Sequence, residues 1–227
     1  MIRDFILLLF PKICAACGKV INKSENTICT YCRIHLPKTD YHLYNDNPVS
    51  RLFWGKTDIF ASTAYYYFRK GSRVQQLIHK LKYLGQSNIG ITIGKFMGAD
   101  LVKETVFNSI DCIIPVPLHP LKLRKRGYNQ SDYIGMGLAE SMGKPCITNN
   151  LYRAISNASQ TRKSQWDRFQ NVEGIFRLKA PAELKNKHVL LTDDVVTTGS
   201  TLVACSEALH TVPGIKVSVA AIACAIQ

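Results

Sequence analysis

His188–Thr201 reads HVLLTDDVVTTGST, in which an apolar strand over His188–Thr192 runs into two adjacent carboxylates and then into a loop of hydroxyl-bearing residues. A helix predicted over Ser200–Leu209 follows directly, so the loop ends where the helix begins. The first backbone N–H groups of a helix and the positive end of its dipole attract anions, and Gly199 lets the main chain approach a ligand closely. The stretch therefore predicts a strand–loop–helix unit that binds a phosphate.

The side chains of this unit extend the anion site to a whole sugar phosphate. Hydroxyls donate hydrogen bonds to phosphate oxygens, whereas paired carboxylates accept them from the two vicinal hydroxyls of a ribose. A Walker A loop is excluded because no Gly-Lys-Ser/Thr follows the glycine, and an Asp-Asp turn beside a threonine-rich helix cap is the structural alternative. The predicted catalytic residues are Asp193 and Asp194, and the predicted phosphate-binding residues are Thr197, Thr198, Gly199, Ser200 and Thr201.

Strand-like and helix-like stretches alternate from about residue 58 onward. Continuous apolar strands that alternate with helices are typical of a mostly parallel sheet covered on both faces, so the predicted fold class is α/β. Ser131 is the predicted N-cap of a helix that is ended by Gly143. The predicted strands are 61–68, 112–117, 188–192 and 217–225, and the predicted helices are 74–84, 93–106, 131–142 and 200–209.

A strongly basic loop, from Leu118 to Gln130, follows the second predicted strand. Loops at the carboxyl ends of neighbouring parallel strands face one crevice. We therefore expect this basic loop to meet the predicted phosphate-binding residues Thr197–Thr201, called the phosphate loop below, and to hold a pyrophosphate. A solvated run of charges is the alternative. The candidate pyrophosphate residues are Arg124, Lys125, Arg126, Asn129 and Gln130.

A polar stretch with little apolar periodicity lies between residues 153 and 176. Long segments without secondary structure inside compact domains are often lids over a site, although a plain surface excursion has the same pattern. The candidate lid residues are Arg153, Gln160, Arg168 and Asn171.

Four of the eight cysteines form two Cys-x-x-Cys pairs, Cys14 with Cys17 and Cys29 with Cys32. Each turn directs two sulfurs to one point, so the two turns together predict a tetrahedral thiolate site for a structural Zn²⁺, with no open position for catalysis. Redox chemistry and disulfides are the alternatives. The other four cysteines lie in apolar segments, as small core residues do in a reducing compartment.

Composition limits the class of protein. The formal net charge of +13, from 29 Lys and Arg against 16 Asp and Glu, favours anionic partners such as phosphorylated metabolites or nucleic acid, with simple solubility as the alternative. The apolar run Phe5–Phe10 is too short to span a bilayer, so we expect a cytoplasmic protein without a membrane anchor. The expected organisation is a zinc module over 1–40, a polar linker over 41–57 and one α/β domain over 58–227.

Together these motifs resemble the ComF family of competence proteins, whose α/β domain is similar to the type I phosphoribosyltransferases. The resemblance rests on the four-cysteine module, the Asp-Asp-Thr-Thr-Gly stretch, which is similar to the phosphoribosyl pyrophosphate motif, and two further motifs, Lys80–Tyr83 and Arg126–Gln130. It implies a Mg²⁺-dependent transfer from phosphoribosyl pyrophosphate to an unidentified acceptor, with Mg²⁺ bound mainly through the pyrophosphate. It also implies a role in the uptake of transforming DNA, beside a helicase-like partner.

A second hypothesis is a binding module rather than an enzyme. In this hypothesis the pocket holds phosphoribosyl pyrophosphate as an effector, or the sugar phosphate of single-stranded DNA, while basic loops and aromatic faces follow the strand. A third hypothesis is a structural adaptor that assembles through its zinc module. The candidate stacking residues are Tyr41, Tyr44, Trp54 and Tyr128.

Overall fold

A four-stranded parallel sheet forms the centre of the protein, in a computed structural model that describes residues 11–22, 24–154 and 175–225. The described strands are β1 Ala61–Tyr67, β2 Cys112–Pro115, β3 Leu151–Arg153, β4 Phe176–Leu178, β5 His188–Val196 and β6 Lys216–Cys224. The central sheet has the order β1-β6-β5-β2 and every neighbouring pair in it is parallel, as the alternation of elements predicts. Strands β3 and β4 form a separate antiparallel ladder.

Helices cover the sheet, and 3₁₀ turns lie in the connections. The described α-helices are α1 Thr30–His35, α2 Arg73–Tyr83, α3 Asn88–Leu101, α4 Thr105–Asn108, α5 Pro120–Arg126, α6 Gln130–Met142 and α7 Ser200–His210. The 3₁₀ turns cover Tyr41–Leu43, Ser50–Leu52 and Pro181–Leu184. Within the described ranges, none of the helices has the length and apolar character that a bilayer crossing requires.

Apolar side chains pack on both faces of the sheet, as the α/β prediction requires. One buried cluster joins Leu190 of β5 to α2, α3 and α6, through residues such as Leu77. The other joins Val189 and Leu191 to α7 through Leu209. Since successive side chains of a strand point to opposite faces, β5 contributes to both clusters.

Several predicted elements are present with different ends. Helix α3 begins at Asn88, earlier than predicted. The N-cap of α6 is Asn129, whose side chain accepts from the backbone N–H of Ser131, so the predicted cap at Ser131 is wrong. Strand β5 continues to Val196 because β6 pairs with it along this length, which places the two acids inside a strand.

The basic segment after β2 is the helix α5, so its prediction as a loop is wrong. His119 caps the first turn by accepting from the backbone N–H of Leu121, and proline occupies the first helical position. Gly127 ends the helix with a φ of 82°, a left-handed conformation that favours glycine. Both end signals are visible in the sequence, but the helix is too short to show an apolar period.

Helices α3 and α6 cross at glycines. A Cβ atom at Gly137 would lie 2.2 Å from the carbonyl oxygen of Ile91, and one at Gly94 would lie 2.4 Å from the carbonyl oxygen of Ile134. Only glycine permits so close an approach of two backbones. This crossing helps to fix α6, whose first turn contacts the acids at the end of β5.

The segment 41–57, predicted as a linker, packs part of its length into the core of the α/β domain. Val49 and Phe53 are 0% and 1% exposed and pack in the cluster that contains α7. The Asn47 amide donates to three backbone carbonyl oxygens, one of them that of Ser62 in β1 at 2.9 Å. The segment is polar in composition, yet it is fixed by a few buried apolar side chains and this one amide.

The cysteine module shares the same core. Cys14, Ile28 and Leu36 are buried in one cluster with residues of α2 and α3. The Lys80 ammonium of α2 donates to the carbonyl oxygen of Ala15 at 2.8 Å. The described part of the module is therefore packed against the α/β domain.

Candidate functional site

A cavity of about 600 Å³ lies where β2 and β5 end. Its lining combines both acids, part of the phosphate loop and side chains from α2, α5 and α6. This is the crevice position at which parallel α/β sheets bind ligands. The lining residues that define it are Lys82, Arg126, Asp193, Asp194, Thr197 and Thr201.

The Asp194 carboxylate is held by side chains from two helices. The Lys82 ammonium of α2 forms an ion pair with its Oδ1 at 2.8 Å, and the Gln130 amide of α6 donates to its Oδ2 at 2.7 Å. The side chain of Asp194 is 6% exposed and that of Lys82 is 24% exposed. A covered carboxylate needs such partners because an isolated buried charge is strongly unfavourable. Both carboxylate oxygens are therefore engaged by protein groups.

Asp193 is half-buried beside this pair and is surrounded by neutral donors. It accepts from the Ser131 hydroxyl at 3.0 Å and from the backbone N–H of Asp194 at 2.8 Å. Burial raises the pKa of the Asp193 carboxyl and the charge of Asp194 raises it further, while these donors and Lys82 lower it. The net direction is upward, so Asp193 holds a proton more readily than an aspartate in water.

The phosphate loop connects β5 to α7. Gly199 is buried, has a φ of 75° and is the N-cap of α7, whose first N–H groups have no acceptor within the helix. The hydroxyls of Thr198 and Ser200 lie 2.9 Å apart. The five predicted phosphate-binding residues line a recess of about 50 Å³ together with Asp193, and Thr197 and Thr201 also line the large cavity. The structure thus brings the predicted phosphate and sugar residues together.

The predicted pyrophosphate residues divide into two groups. Arg126, Asn129 and Gln130 line the cavity, whereas Arg124 and Lys125 are exposed on α5 and are absent from its lining. The Arg126 guanidinium donates to the side-chain oxygen of Gln130, which itself contacts the buried acid of β5. A chain of contacts therefore connects α5 to the acids.

Of the predicted lid residues, Arg153 lines the cavity from β3. Its guanidinium carbon lies 5.5 Å from the centroid of the Phe176 ring in β4. Gln160, Arg168 and Asn171 lie outside the described residues, so their role stays a prediction.

Sequence reasoning missed a polar face of α2 and one residue of α6. Gln75, His79 and Lys82 all line the cavity, and their spacing places them on one side of a helix. That spacing was available in the sequence, but only the apolar positions of this helix were used to predict it. Ser131 was missed as a site residue because it was interpreted as a cap.

The four paired cysteines converge on one point. Their sulfurs all lie within 4.8 Å of one another, and Sγ of Cys17 lies 3.9 Å from Sγ of Cys29. A Zn–S distance of about 2.3 Å with tetrahedral angles requires about 3.8 Å between sulfurs. Burial raises the pKa of Cys14, but N–H donors including that of Cys29, at 3.3 Å, lower it to about 7 overall. The geometry and the donors are suitable for holding a metal ion.

The candidate stacking residues differ in exposure. Tyr44 and Trp54 are each 61% exposed, whereas Tyr41 is half-buried. Tyr128 is also half-buried, and its hydroxyl donates to the carbonyl oxygen of Leu81. Two of the four rings thus present an open face.

The fold and the cavity together define a class, a mostly parallel α/β protein with flanking helices and a cavity at the carboxyl ends of its strands. Among solved structures, the chain is similar to one described as the allosteric regulatory enzyme of purine biosynthesis, at 18% identity and a TM-score of 0.42, over 62% of this chain and 29% of that chain. It is also similar to adenine phosphoribosyltransferase from Saccharomyces cerevisiae, at 16% identity and a TM-score of 0.38, over 62% of this chain and 69% of that chain. The chain thus spans less than a third of the purine enzyme.

Sequence comparison with curated proteins gives the particular relatives. The chain is 28% identical over 205 residues to DNA utilization protein YhgH of Escherichia coli (strain K12), which covers 87% of this chain and 83% of that protein. It is 33% identical over 138 residues to competence protein F of Haemophilus influenzae, over 59% of this chain and 60% of that protein. The chain is a homologue of these proteins, which confirms the resemblance to ComF proteins. No protein-family model matches it.

Proposed function

We propose that this protein binds phosphoribosyl pyrophosphate in the cavity between β5, α2 and α6, and that it acts in the handling of DNA during uptake. The observation on which the proposal rests is the position of the two acids. Asp193 lines both the large cavity and the recess formed by the phosphate loop. A ligand with its 5-phosphate at Gly199 would therefore have its ribose hydroxyls beside the acids.

The charges around the cavity are suitable for the other end of such a ligand. Lys82, Lys122, Arg126 and Arg153 contribute cationic side chains to its lining. Cationic side chains form charge-assisted hydrogen bonds with phosphate oxygens. This proposal keeps Arg126, Asn129 and Gln130 as pyrophosphate-side residues and assigns no contact to Arg124 or Lys125.

Mg²⁺ would bind mainly through the ligand. Asp194 has both oxygens engaged by Lys82 and Gln130, and Mg²⁺ in phosphate sites commonly keeps several waters and uses substrate oxygens. The residues present therefore fit a cation carried on the pyrophosphate, with Asp193 as the available protein carboxylate. When bound, the cation would neutralise charge on the departing pyrophosphate.

If the protein is a transferase, the reaction at the anomeric carbon is a substitution. The C1–O bond breaks and its electron pair leaves with pyrophosphate, while a nucleophilic acceptor forms the new bond and loses its proton. Positive charge develops at the sugar ring, and the acids beside the ribose would stabilise it. The acceptor is a nucleophile such as a base or an amine.

The four-cysteine cluster would hold a structural Zn²⁺. Cys14, Cys17, Cys29 and Cys32 supply four sulfurs at suitable separations, and a site filled by four thiolates leaves no position for substrate. The proposed location is the cytoplasm, where a reducing environment keeps these four sulfurs available to the metal.

The proposed role in DNA uptake comes from the relatives. One of these relatives is named a DNA utilization protein and another competence protein F. The net charge of +13 is compatible with a nucleic-acid partner. Single-stranded DNA and a helicase-like protein are the partners that we propose.

Transferase activity is tested by measuring the release of pyrophosphate from phosphoribosyl pyrophosphate in the presence of Mg²⁺. Nucleobases and amines are screened as acceptors. We expect Asp194→Asn to lower the stimulated rate on the order of 100-fold, because an oriented group that stabilises transition-state charge is lost. Glu140→Gln is the matched control, since this exposed acid pairs with Lys95 away from the cavity. Release that no acceptor stimulates would refute catalysis.

The second candidate is a binding module without turnover. The exposed Trp54 ring, with the Arg51 guanidinium 5.8 Å from its centroid, favours it because such pairs stack on nucleic-acid bases. In this case single-stranded DNA binds with an affinity that falls steeply with salt and that Trp54→Ala weakens. Asp194→Asn leaves this DNA affinity unchanged if the two sites are separate.

A further inference from the structure

We propose that Lys82 is a displaceable counter-ion that makes the site select sugar phosphates with a second anionic group at C1. The inference rests on the proposed function, since it concerns ligands of the same cavity. Lys82 was not assigned to the site from sequence, and its ammonium lies 2.8 Å from Oδ1 of Asp194.

The ion pair between Lys82 and Asp194 competes with hydrogen bonds from the hydroxyls of a ribose. The two oxygens of Asp194 accept from Lys82 and from the Gln130 amide, and this carboxylate is nearly covered. A ribose hydroxyl that donates to Asp194 must therefore displace one of these partners or share its oxygen. Lys82 is the partner with room to move, since it is a long side chain, partly exposed to the cavity that it lines.

Displacement has different consequences for different ligands. An ammonium that loses its carboxylate partner in this partly covered site is stabilised by another anion, because an unpaired charge is less favourable there than in water. Phosphoribosyl pyrophosphate supplies that anion at C1, so hydroxyls replace the ammonium on Asp194 while Lys82 pairs with the pyrophosphate. Ribose 5-phosphate supplies the hydroxyls alone and leaves Lys82 without a partner. The same lysine thus opposes one ligand and favours the other.

The test measures the affinities of ribose 5-phosphate and phosphoribosyl pyrophosphate by calorimetry on the full chain. We expect Lys82→Met to tighten ribose 5-phosphate and to weaken phosphoribosyl pyrophosphate, each by about tenfold, the effect of one charged hydrogen bond. Lys82→Arg keeps the cation and should restore much of the preference. Lys95→Met, which removes a lysine from a surface ion pair with Glu140, is the control and should change neither affinity.

A second measurement uses the wild-type chain and does not depend on the folding of a variant. Inorganic pyrophosphate should tighten ribose 5-phosphate binding, because it offers Lys82 the missing anion, and by reciprocity the sugar phosphate should tighten pyrophosphate. Absence of this coupling in wild-type protein overturns the inference. So does an equal weakening of both ligands by Lys82→Met, which would make Lys82 a plain contact. Failure of wild-type protein to bind either ligand would instead refute the proposed function itself.

Discussion

At the scale of single residues, the two acids of β5 have different electrostatic partners. Asp194 faces the cation of Lys82, whereas Asp193 receives hydrogen bonds from the neutral Ser131 hydroxyl and a backbone N–H. Burial and the neighbouring charge raise the pKa of Asp193 from 3.8 to about 7. The folded chain therefore binds a proton that the unfolded chain has lost, so stability decreases as pH rises through this interval.

We expect Asp193→Asn to stabilise the protein at pH 8 by at least about 1 kcal/mol, because one pK unit corresponds to about 1.4 kcal/mol and solvent around this half-buried carboxyl weakens the effect of its raised pKa. Asparagine keeps an oxygen that can accept from Ser131, but it never ionises. The gain should be full above the raised pKa of about 7, should shrink as pH falls, and should vanish below 3.8, where both states are protonated. Urea unfolding followed by circular dichroism across this range measures the effect.

Glu207→Gln is the control for this experiment, because Glu207 is an exposed acid on α7. It should show no comparable gain with rising pH. A loss of stability in Asp193→Asn at pH 8 would contradict the conclusion that the folded protein disfavours the ionised form of Asp193.

At this scale, a single sequence supports prediction where the residues are neighbours in the chain. The contiguous stretch Asp193–Thr201 could be interpreted from local chemistry alone. Lys82 and Ser131 come from helices more than sixty positions away, and only the packing of α2 and α6 brings them to the acids. A single sequence contains no direct signal for such a contact.

At the scale of elements, the segment Ser50–Leu52 and the residue after it support the phosphate loop. A Cβ atom at Gly199 would lie 3.3 Å from a ring carbon of Phe53, and Phe53 itself is 1% exposed. Apolar runs in the sequence predicted the sheet and its parallel pairing. The sequence did not predict that this segment supports the phosphate loop, because its polar composition is typical of a linker. The role of its one large buried ring is visible only in the structure, where the phosphate loop packs on that ring.

We expect Phe53→Ala to destabilise the protein by about 3–5 kcal/mol, the usual effect of removing a buried aromatic ring. Trp54→Ala, next to it, is the control, since Trp54 is 61% exposed and should change stability by less than about 1 kcal/mol. Chemical denaturation measures both variants. Equal, small effects would show that the segment is a linker after all.

At the scale of the whole molecule, the cysteine module and the α/β domain share an apolar cluster. Cys14 and Cys32 are buried with residues of α2 and α3. The motif predicted that the four cysteine sulfurs converge, which the structure shows, but the spacing of the cysteines could not predict the packing of the module against the domain. A structural change in the cysteine module should therefore alter the packing of α2, the helix that contributes Lys82 to the cavity.

We expect about one zinc per chain by elemental analysis, and its removal by a chelator should lower the melting temperature on the order of 10 °C. A structural zinc contributes several kcal/mol or more to folding, and each kcal/mol shifts the melting of a chain of this size by about 2–4 °C. Adding Zn²⁺ back should restore the transition, whereas Mg²⁺ should not. Purified protein without bound metal but with the same melting temperature would contradict the assignment.

The most direct test of the whole account is calorimetric titration of phosphoribosyl pyrophosphate, with Mg²⁺, into wild-type protein and Thr201→Val. Thr201→Val removes one hydroxyl from the phosphate loop at the start of α7. Thr211→Val is the matched control, because it removes a hydroxyl just beyond the end of the same helix, where the group donates to the carbonyl oxygen of Ala208. The account predicts saturable one-site binding that Thr201→Val weakens about tenfold, the effect of one hydrogen bond to a charged group, and that Thr211→Val leaves unchanged. Absence of binding to the wild-type chain, or binding that Thr201→Val does not alter, would contradict it.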